Sequence, residues 1–180
     1  MKSFITILSL ICFLISGEIK DRTIETIKSF YGNEIEIDSK KFKIPKKVKS
    51  KIQNHVKQKF FRDEIYYWVI KESGNIKGYA LMDNSKGKAM PITYLVIFNT
   101  DQDIVHSSII KYREGYGGEV KSRSWLDQFN GMRKDSLYSY PRNIAGISGA
   151  TISVKSVTKG FAKLSLLLPY IIKDINKDEN

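Results

Sequence analysis

The stretch IYYWVIKESGNIKGYALM, residues 65–82, decides the fold. Two runs rich in β-branched and aromatic residues flank a polar turn at 72–75, which is the pattern of a β-hairpin. A second pair of such runs, 91–98 and 104–112, is joined by an acidic turn at 99–103. Four consecutive strands with short connections predict an antiparallel meander rather than a parallel sheet with crossover helices.

Apolar residues at helical spacing flank these strands on both sides. One helix is predicted from Asp21 or Thr23 to about Gly32, and a second over 46–59 after Pro45. After Ser148 the spacing of apolar residues predicts a long amphipathic helix that packs on the sheet. The fold class is therefore α+β: an antiparallel meander packed with helices, whose C-terminal helix begins at a glycine-punctuated loop.

The chain of 180 residues is long enough for one domain with a full core. Residues 1–17 combine a charged start, an apolar run and small residues, which predicts a signal peptide; an uncleaved N-terminal anchor is the alternative. We expect an N-terminal helical segment at 18–62 that packs on the core, the main domain at 63–172 and a solvated tail at 173–180. The protein is then exported, to the periplasm or the outer face of the cytoplasmic membrane.

The cysteine, charged and histidine residues limit the kinds of site and partner that are expected. Cys12, the one cysteine, lies in the predicted signal peptide, so the mature chain has no disulfide or thiolate site. The net charge is +11, and much of it lies in the lysine-rich run 40–51. Export argues against a nucleic-acid partner, which leaves a solvated face, an anionic membrane surface or an acidic redox partner. His55 and His106 lack neighbours at metal-ligand spacing, so both are expected to be structural.

The loop before the last helix is the best candidate site. Ser148 is a suitable N-cap, and Gly149, Ala150 and Thr151 would then form the first helical turn. Unpaired amides and the positive end of the helix dipole favour an anion there. Thr151 adds a hydroxyl at the same place.

A second glycine-rich loop, REGYGGEV at 113–120, precedes a predicted short helix. It lacks the lysine and hydroxyl that follow the glycines of a phosphate-binding P-loop. Its glycines permit a close backbone approach, either to a ligand or to the neighbouring strand. Both interpretations remain open at the level of composition.

The Ser148-Gly149-Ala150-Thr151 sequence, with the strand-rich region before it, resembles the FMN-binding domain family. That family includes flavin subunits of sodium-pumping NADH:quinone reductases and of Rnf-type ferredoxin:NAD oxidoreductases. The resemblance extends over residues 65–165 in order and spacing, through Gly78-Tyr79-Ala80, Gly87-Lys88, the strand at 94–97, Glu114 with Gly117-Gly118-Glu119, and the segment 125–131.

The resemblance implies FMN bound covalently, as a phosphoester of Thr151. It assigns cofactor binding to Thr151, Ser148, Gly149, Ala150, Glu114 and Gly117. It also implies maturation by an FAD:protein FMN transferase, electrons from a membrane-associated donor or redox complex, and a redox carrier rather than an autonomous enzyme. Three aromatic residues lie either against the isoalloxazine or in the core: Tyr116, Trp125 and Tyr140.

Two positions depart from the family pattern. The acidic residue usually found three positions before the serine is Ala145 here, and the usual Glu-Thr-Pro-Gly reads Glu-Gly-Tyr-Gly at 114–117. The first departure leaves an alternative, in which an unflavinylated member of the fold acts as a non-redox binding module. A hydrolase with Ser148 or Thr151 as nucleophile is a third interpretation, for which two histidines offer few bases.

Overall fold

The chain folds into one antiparallel sheet with helices on both faces. A computed structural model describes the backbone of residues 2–178 and the side chains of residues 17–177. The elements are α1 (Lys2–Tyr31), β1 (Glu36–Lys43), α2 (Lys46–Val56), β2 (Glu64–Glu72), β3 (Asn75–Lys86), β4 (Pro91–Asn99), β5 (Ile104–Lys111), α3 (Arg123–Leu126) and α4 (Thr151–Asp178), with single 3₁₀ turns at Gly118–Lys121 and Asp127–Phe129.

The sheet has the strand order β1-β2-β3-β4-β5, and each neighbouring pair is antiparallel. The predicted α+β class and its meander are thereby confirmed. In the hairpin between β2 and β3, Ser73 and Gly74 have φ of 50° and 77°, the pattern of a type I′ turn. The structure adds β1 at one edge, where residues 40–43 of the lysine-rich run pair with β2 and most side chains of the strand point to solvent.

Strand alternation separates two apolar layers. Tyr79 and Leu81 of β3 belong to the larger layer, which α4 covers, whereas Ala80 belongs to the smaller layer around Trp68, which α1 covers. We call these two sides of the sheet the α4 face and the α1 face. Of the predicted N-terminal helical segment at 18–62, α1 packs on the α1 face, whereas α2 packs against α4 and buries Ile52 in the larger layer.

Helix α4 approaches the sheet closely at Gly160. A Cβ at this position would lie 2.5 Å from the hydroxyl oxygen of Tyr94, a fully buried side chain on β4. Glycine costs a helix interior about 1 kcal/mol relative to alanine. That cost is offset here because a larger residue would push the helix away from the sheet.

An ion pair is buried in the layer beneath α4. Lys163 Nζ lies 2.8 Å from Asp83 Oδ2, and the two side chains are 0% and 3% exposed. The ammonium also donates a hydrogen bond of 3.0 Å to the Lys59 carbonyl oxygen. Burial raises the pKa of Asp83 and lowers the pKa of Lys163, because the apolar surroundings disfavour either charge alone.

The C-terminal end of the chain differs from the expectation. The sequence predicts a solvated tail from Lys173, but α4 continues through Asp178 and buries Ile175, because the apolar spacing of Leu168 and Ile171 continues to that residue. The predicted signal peptide lies outside the residues whose side chains are described, except for Gly17. Within the described part of the chain, no helix has the length and apolarity to cross a bilayer.

We expect the Lys163→Met substitution to lower the free energy of unfolding by about 3–5 kcal/mol, because it leaves the Asp83 carboxylate buried without a partner. The Asp83→Leu/Lys163→Met double variant should lose less than about 1 kcal/mol, since neither charge is then buried. Urea unfolding measures both. The exposed Lys159→Met variant on the same helix is the control, and equal losses in single and double variants would contradict the pairing.

Candidate functional site

The Ser-Gly-Ala-Thr sequence forms a tight turn that leads into α4. The Ala150 amide donates to the Ile147 carbonyl oxygen at 3.1 Å, and Gly149 has a φ of 76°. A positive φ at the third of four residues is the pattern of a type II turn, which favours glycine there. The first intrahelical bond then joins the Val154 amide to the Ala150 carbonyl oxygen at 2.9 Å.

The helix cap differs from the prediction. Because Gly149 is left-handed and α4 begins at Thr151, the capping position falls on Ala150 and not on Ser148. The amides of Thr151, Ile152 and Ser153 precede the first intrahelical bond and have no acceptor within the helix. Ala150 has no side-chain oxygen that could accept a hydrogen bond from these amides. The turn thus presents free amides beside the exposed side chain of Thr151.

The glycine-rich loop meets this turn at Gly117. A Cβ at Gly117 would lie 3.2 Å from the Ala150 Cβ and 3.0 Å from the Tyr112 hydroxyl oxygen, and its φ is 76°. Ala150 itself is 3% exposed, so this contact covers it. The close approach at Gly117 is thus to the turn before α4, a contact that neither interpretation of the loop named.

Tyr112, at the end of β5, holds the same two loops together through its hydroxyl group. The hydroxyl donates to the Tyr116 carbonyl oxygen at 2.6 Å and shares a hydrogen bond of 3.0 Å with Ser153 Oγ on α4. Burial raises the pKa of Tyr112, so the hydroxyl keeps its proton near neutral pH. Sequence reasoning missed this residue, since nothing in the sequence pairs position 112 with position 153.

Glu114 is oriented toward a different turn. Its Oε1 accepts hydrogen bonds from the amides of Ala89 at 2.6 Å and Met90 at 3.0 Å, at the tight turn between β3 and β4. These amides lower the pKa of Glu114, and the Tyr112 hydroxyl adds to the effect. A Cβ at Gly87 would lie 2.6 Å from the same oxygen. Glu114, assigned to cofactor binding by the resemblance, thus supports the 87–90 turn in the structure.

The backbone of Ala145 is held from both sides. Trp125 Nε1 donates to its carbonyl oxygen at 2.8 Å, and its amide donates to Gln128 Oε1 at 2.7 Å. Gln128 in turn donates to the Trp125 carbonyl oxygen at 2.6 Å. Trp125 is 6% exposed and packs edge-to-face on Phe129, so it belongs to the core. The Ala145 side chain is exposed, and only its backbone is fixed.

The other two aromatic candidates lie nearer the surface. Tyr116 is 90% exposed beside Gly117, so its ring is available to a planar ligand. Tyr140 is half-buried against Gly146, where a Cβ would lie 2.9 Å from the ring, and Lys155 Nζ lies 5.8 Å from its ring centre. Lys155 is one turn along α4 from Thr151, which places a cation on the face of the helix that carries the threonine.

The structure therefore brings five of the six predicted site residues to one place: Thr151, Ser148, Gly149, Ala150 and Gly117. Glu114 supports the neighbouring turn. Neither histidine contacts Ser148 or Thr151 among the described residues; His106 lies on β5 within 3.3 Å of the Arg123 guanidinium. No group of three or more potential metal-ligating side chains occurs in the described part of the chain. The arrangement is suited to holding an anion at a helix start beside a free hydroxyl.

We expect Gly117→Ala to destabilise the protein more than Gly131→Ala. Both glycines have a positive φ, 76° and 79°, so both variants lose about 1–2 kcal/mol to backbone strain. A Cβ at Gly131 meets open space, whereas at Gly117 it presses on Ala150, which adds about 1 kcal/mol or more. Urea unfolding of both variants gives the difference, and equal losses would contradict the loop contact.

Comparison with known proteins identifies relatives of the region that contains this site. Residues 87–164 match the FMN-binding domain family. The chain is also 33% identical over 101 residues to a subunit of the proton-translocating ferredoxin:NAD(+) oxidoreductase complex of Clostridium ljungdahlii, an alignment that covers 52% of this chain and 55% of the relative. The chain thus spans about half the length of this curated relative. The resemblance to the FMN-binding domain family is confirmed over residues 87–164, the segment that holds the Gly117 loop and the Ser-Gly-Ala-Thr turn.

Proposed function

We propose that this protein is an exported electron-transfer domain that carries FMN covalently on Thr151. The observation that carries the proposal is the start of α4, where an exposed threonine side chain lies beside three amides without helical acceptors. The FMN-binding domain match over residues 87–164 includes this turn and supports the choice of cofactor.

The residues of the turn fit a phosphoester. A phosphate joined to both riboflavin and threonine keeps one negative charge, which the amides of residues 151–153 and the helix dipole favour. Lys155, one turn further on the same face, adds a cation. Gly149 keeps the turn tight through its left-handed φ, and Thr151 in the next turn is exposed to an approaching group.

Attachment requires an exchange of one phosphate bond for another. The Thr151 hydroxyl oxygen forms a bond to the phosphorus of the FMN half of FAD, the pyrophosphate bond breaks, AMP leaves, and the threonine proton is released. An FAD:protein FMN transferase is the enzyme class that performs this step. The exposure of Thr151 is what a modifying enzyme needs, because a buried hydroxyl could not enter its active site.

Bound FMN supplies one- and two-electron redox chemistry. The protein's part is to retain and orient it: Tyr112 fixes the glycine loop against α4, and Tyr116 offers an exposed ring beside it. A covalent bond prevents loss of the cofactor from an exported protein. By analogy with the relative, which belongs to a proton-translocating complex, we place the donor in a membrane-associated redox complex.

We expect protein co-produced with FAD and the transferase to gain the mass of one FMN less one water, and Thr151→Ala to abolish the gain. Ser148→Ala should keep it, because the attaching hydroxyl remains, and Thr151→Ser should restore part of it. Intact-mass spectrometry and in-gel fluorescence after denaturation measure this. A bound flavin that is released on denaturation would contradict the covalent bond, and colourless protein would favour the non-redox binding module.

We further expect Ala145→Asp to speed flavinylation when the transferase is limiting. The Ala145 side chain is exposed and its backbone is held by Trp125 and Gln128, so an acid there keeps the loop's shape. One exposed charge contact of about 0.5–1 kcal/mol corresponds to about two- to fivefold in rate. Ala145→Asn is the uncharged control, and equal flavinylation rates for both variants would show that the transferase does not recognise the acid.

A further inference from the structure

A cavity of about 510 Å³ lies on the α1 face, between residues 19–20 of α1 and one end of the sheet. We call its buried and half-buried lining side chains, Tyr66, Trp68 and Met82, the floor, and the exposed Phe61 and Met90 the mouth. Thr151 begins α4 on the opposite face of the sheet, so the cavity is separate from the proposed flavin site. Nothing in the proposed electron-transfer function uses it.

The interior of the cavity is apolar and aromatic. Tyr66 and Trp68 are stacked with ring centres 6.4 Å apart, and Met82 lies half-buried on the next strand. Trp68 is 1% exposed, and its Nε1 has no hydrogen-bond partner among the described residues. At the mouth, Phe61 and Met90 are 52% and 45% exposed. Large apolar side chains held open to solvent around a concave apolar floor are typical of a ligand site.

The charges around the cavity are predominantly positive. Lys20, Arg62 and Arg113 line it, and none of the three lies within ion-pair distance of a carboxylate in the described part of the chain. The two acidic residues of the lining are already paired, Glu64 with Lys41 at 3.0 Å and Asp83 with Lys163 at 2.8 Å. The cavity therefore joins an apolar interior to an excess of positive charge.

Arg113 is the cation best placed to meet a ligand. Its Nη1 donates to the Pro91 carbonyl oxygen at 2.9 Å and to Thr93 Oγ1 at 3.0 Å, which fixes the guanidinium at the edge of the cavity and leaves its other nitrogens free for an anion. Burial lowers the pKa of Arg113, and the more distant Glu18 carboxylate, which bonds Lys111, only partly opposes this effect. An anionic group at the guanidinium would relieve the cost of burial.

We propose that this cavity binds an anionic amphiphile, with its hydrocarbon chain over Trp68 and Met82 and its carboxylate or phosphate at Arg113, Lys20 and Arg62. A neutral apolar ligand would leave the three cations without partners, and a soluble anion would leave the aromatic floor and the exposed Phe61 and Met90 without contacts. The same chemistry is available from a free fatty acid or from an anionic membrane lipid.

The test is titration of the full-length protein with sodium laurate below its micellar concentration, followed by calorimetry and native mass spectrometry. We expect one laurate per chain. The Lys20→Glu/Arg62→Glu variant should bind laurate about tenfold more weakly. A tenfold change corresponds to about 1.4 kcal/mol, and each of the two reversed exposed charges contributes a fraction of it. The control variant is Lys134→Glu/Lys173→Glu. It changes the net charge by the same amount through two exposed residues outside the cavity, so its affinity for laurate should stay within about twofold of the parent's.

Met90→Asp is the matched test of the apolar mouth, with Leu137→Asp as its control, because both side chains are exposed and the variants should fold. Of these two variants, only Met90→Asp should weaken laurate binding. Vesicles of phosphatidylglycerol and phosphatidylcholine distinguish the two sources of the ligand. Binding to laurate identifies a free amphiphile. Binding only to phosphatidylglycerol vesicles, when it is lost in Met90→Asp, identifies a membrane lipid. Binding to neither, equal effects of Met90→Asp and Leu137→Asp, or a dimer in solution that closes the cavity would overturn the proposal.

Discussion

The close packing of α4 on the sheet at Gly160 is the constraint on which the rest of the structure depends. With no side chain at this position, the helix lies against the Tyr94 hydroxyl group. Three residues further along α4, Lys163 reaches Asp83 on β3, and one turn before Gly160, Ser156 Oγ donates to the Lys86 carbonyl oxygen at 2.6 Å. The start of the helix is positioned by the same packing, so the exposed threonine at its first residue is a consequence of a glycine nine residues away.

The antiparallel sheet keeps two kinds of chemistry apart. Because successive side chains of a strand point to opposite faces, β3 contributes Leu81 and Asp83 to the layer under α4, and Met82 to the cavity on the α1 face. On the α4 face, the Asp83 and Lys163 charges are buried and paired. On the α1 face, cations and exposed apolar groups border the cavity without carboxylate partners among the described residues. A ligand on one face therefore has no direct contact with a ligand on the other.

The sequence predicted the features that local rules determine. Alternation and the turn at 72–75 were sufficient for the meander, and the Ser-Gly-Ala-Thr sequence located the candidate site. What it missed depends on contacts between distant residues: Tyr112 with Ser153, Trp125 with Ala145, and Lys163 with Asp83. The cap at Ser148 was wrong because glycine is permitted both in a first helical turn and in a left-handed turn, and Gly149 adopts the second, in the turn that the Ala150 amide closes on Ile147.

The segment at the end of β5 is where the two faces meet. Lys111 and Arg113 point to the α1 face, where Lys111 bonds Glu18 of α1 at 2.9 Å and Arg113 borders the cavity. Tyr112 points the other way, to Ser153 on α4, and the loop then continues to Gly117. Side chains that alternate along one short segment thus fix both the edge of the cavity and the loop beside Thr151. A displacement of this segment by an occupant of the cavity would shift Tyr112 as well, which makes the segment a direct route of coupling between the two sites.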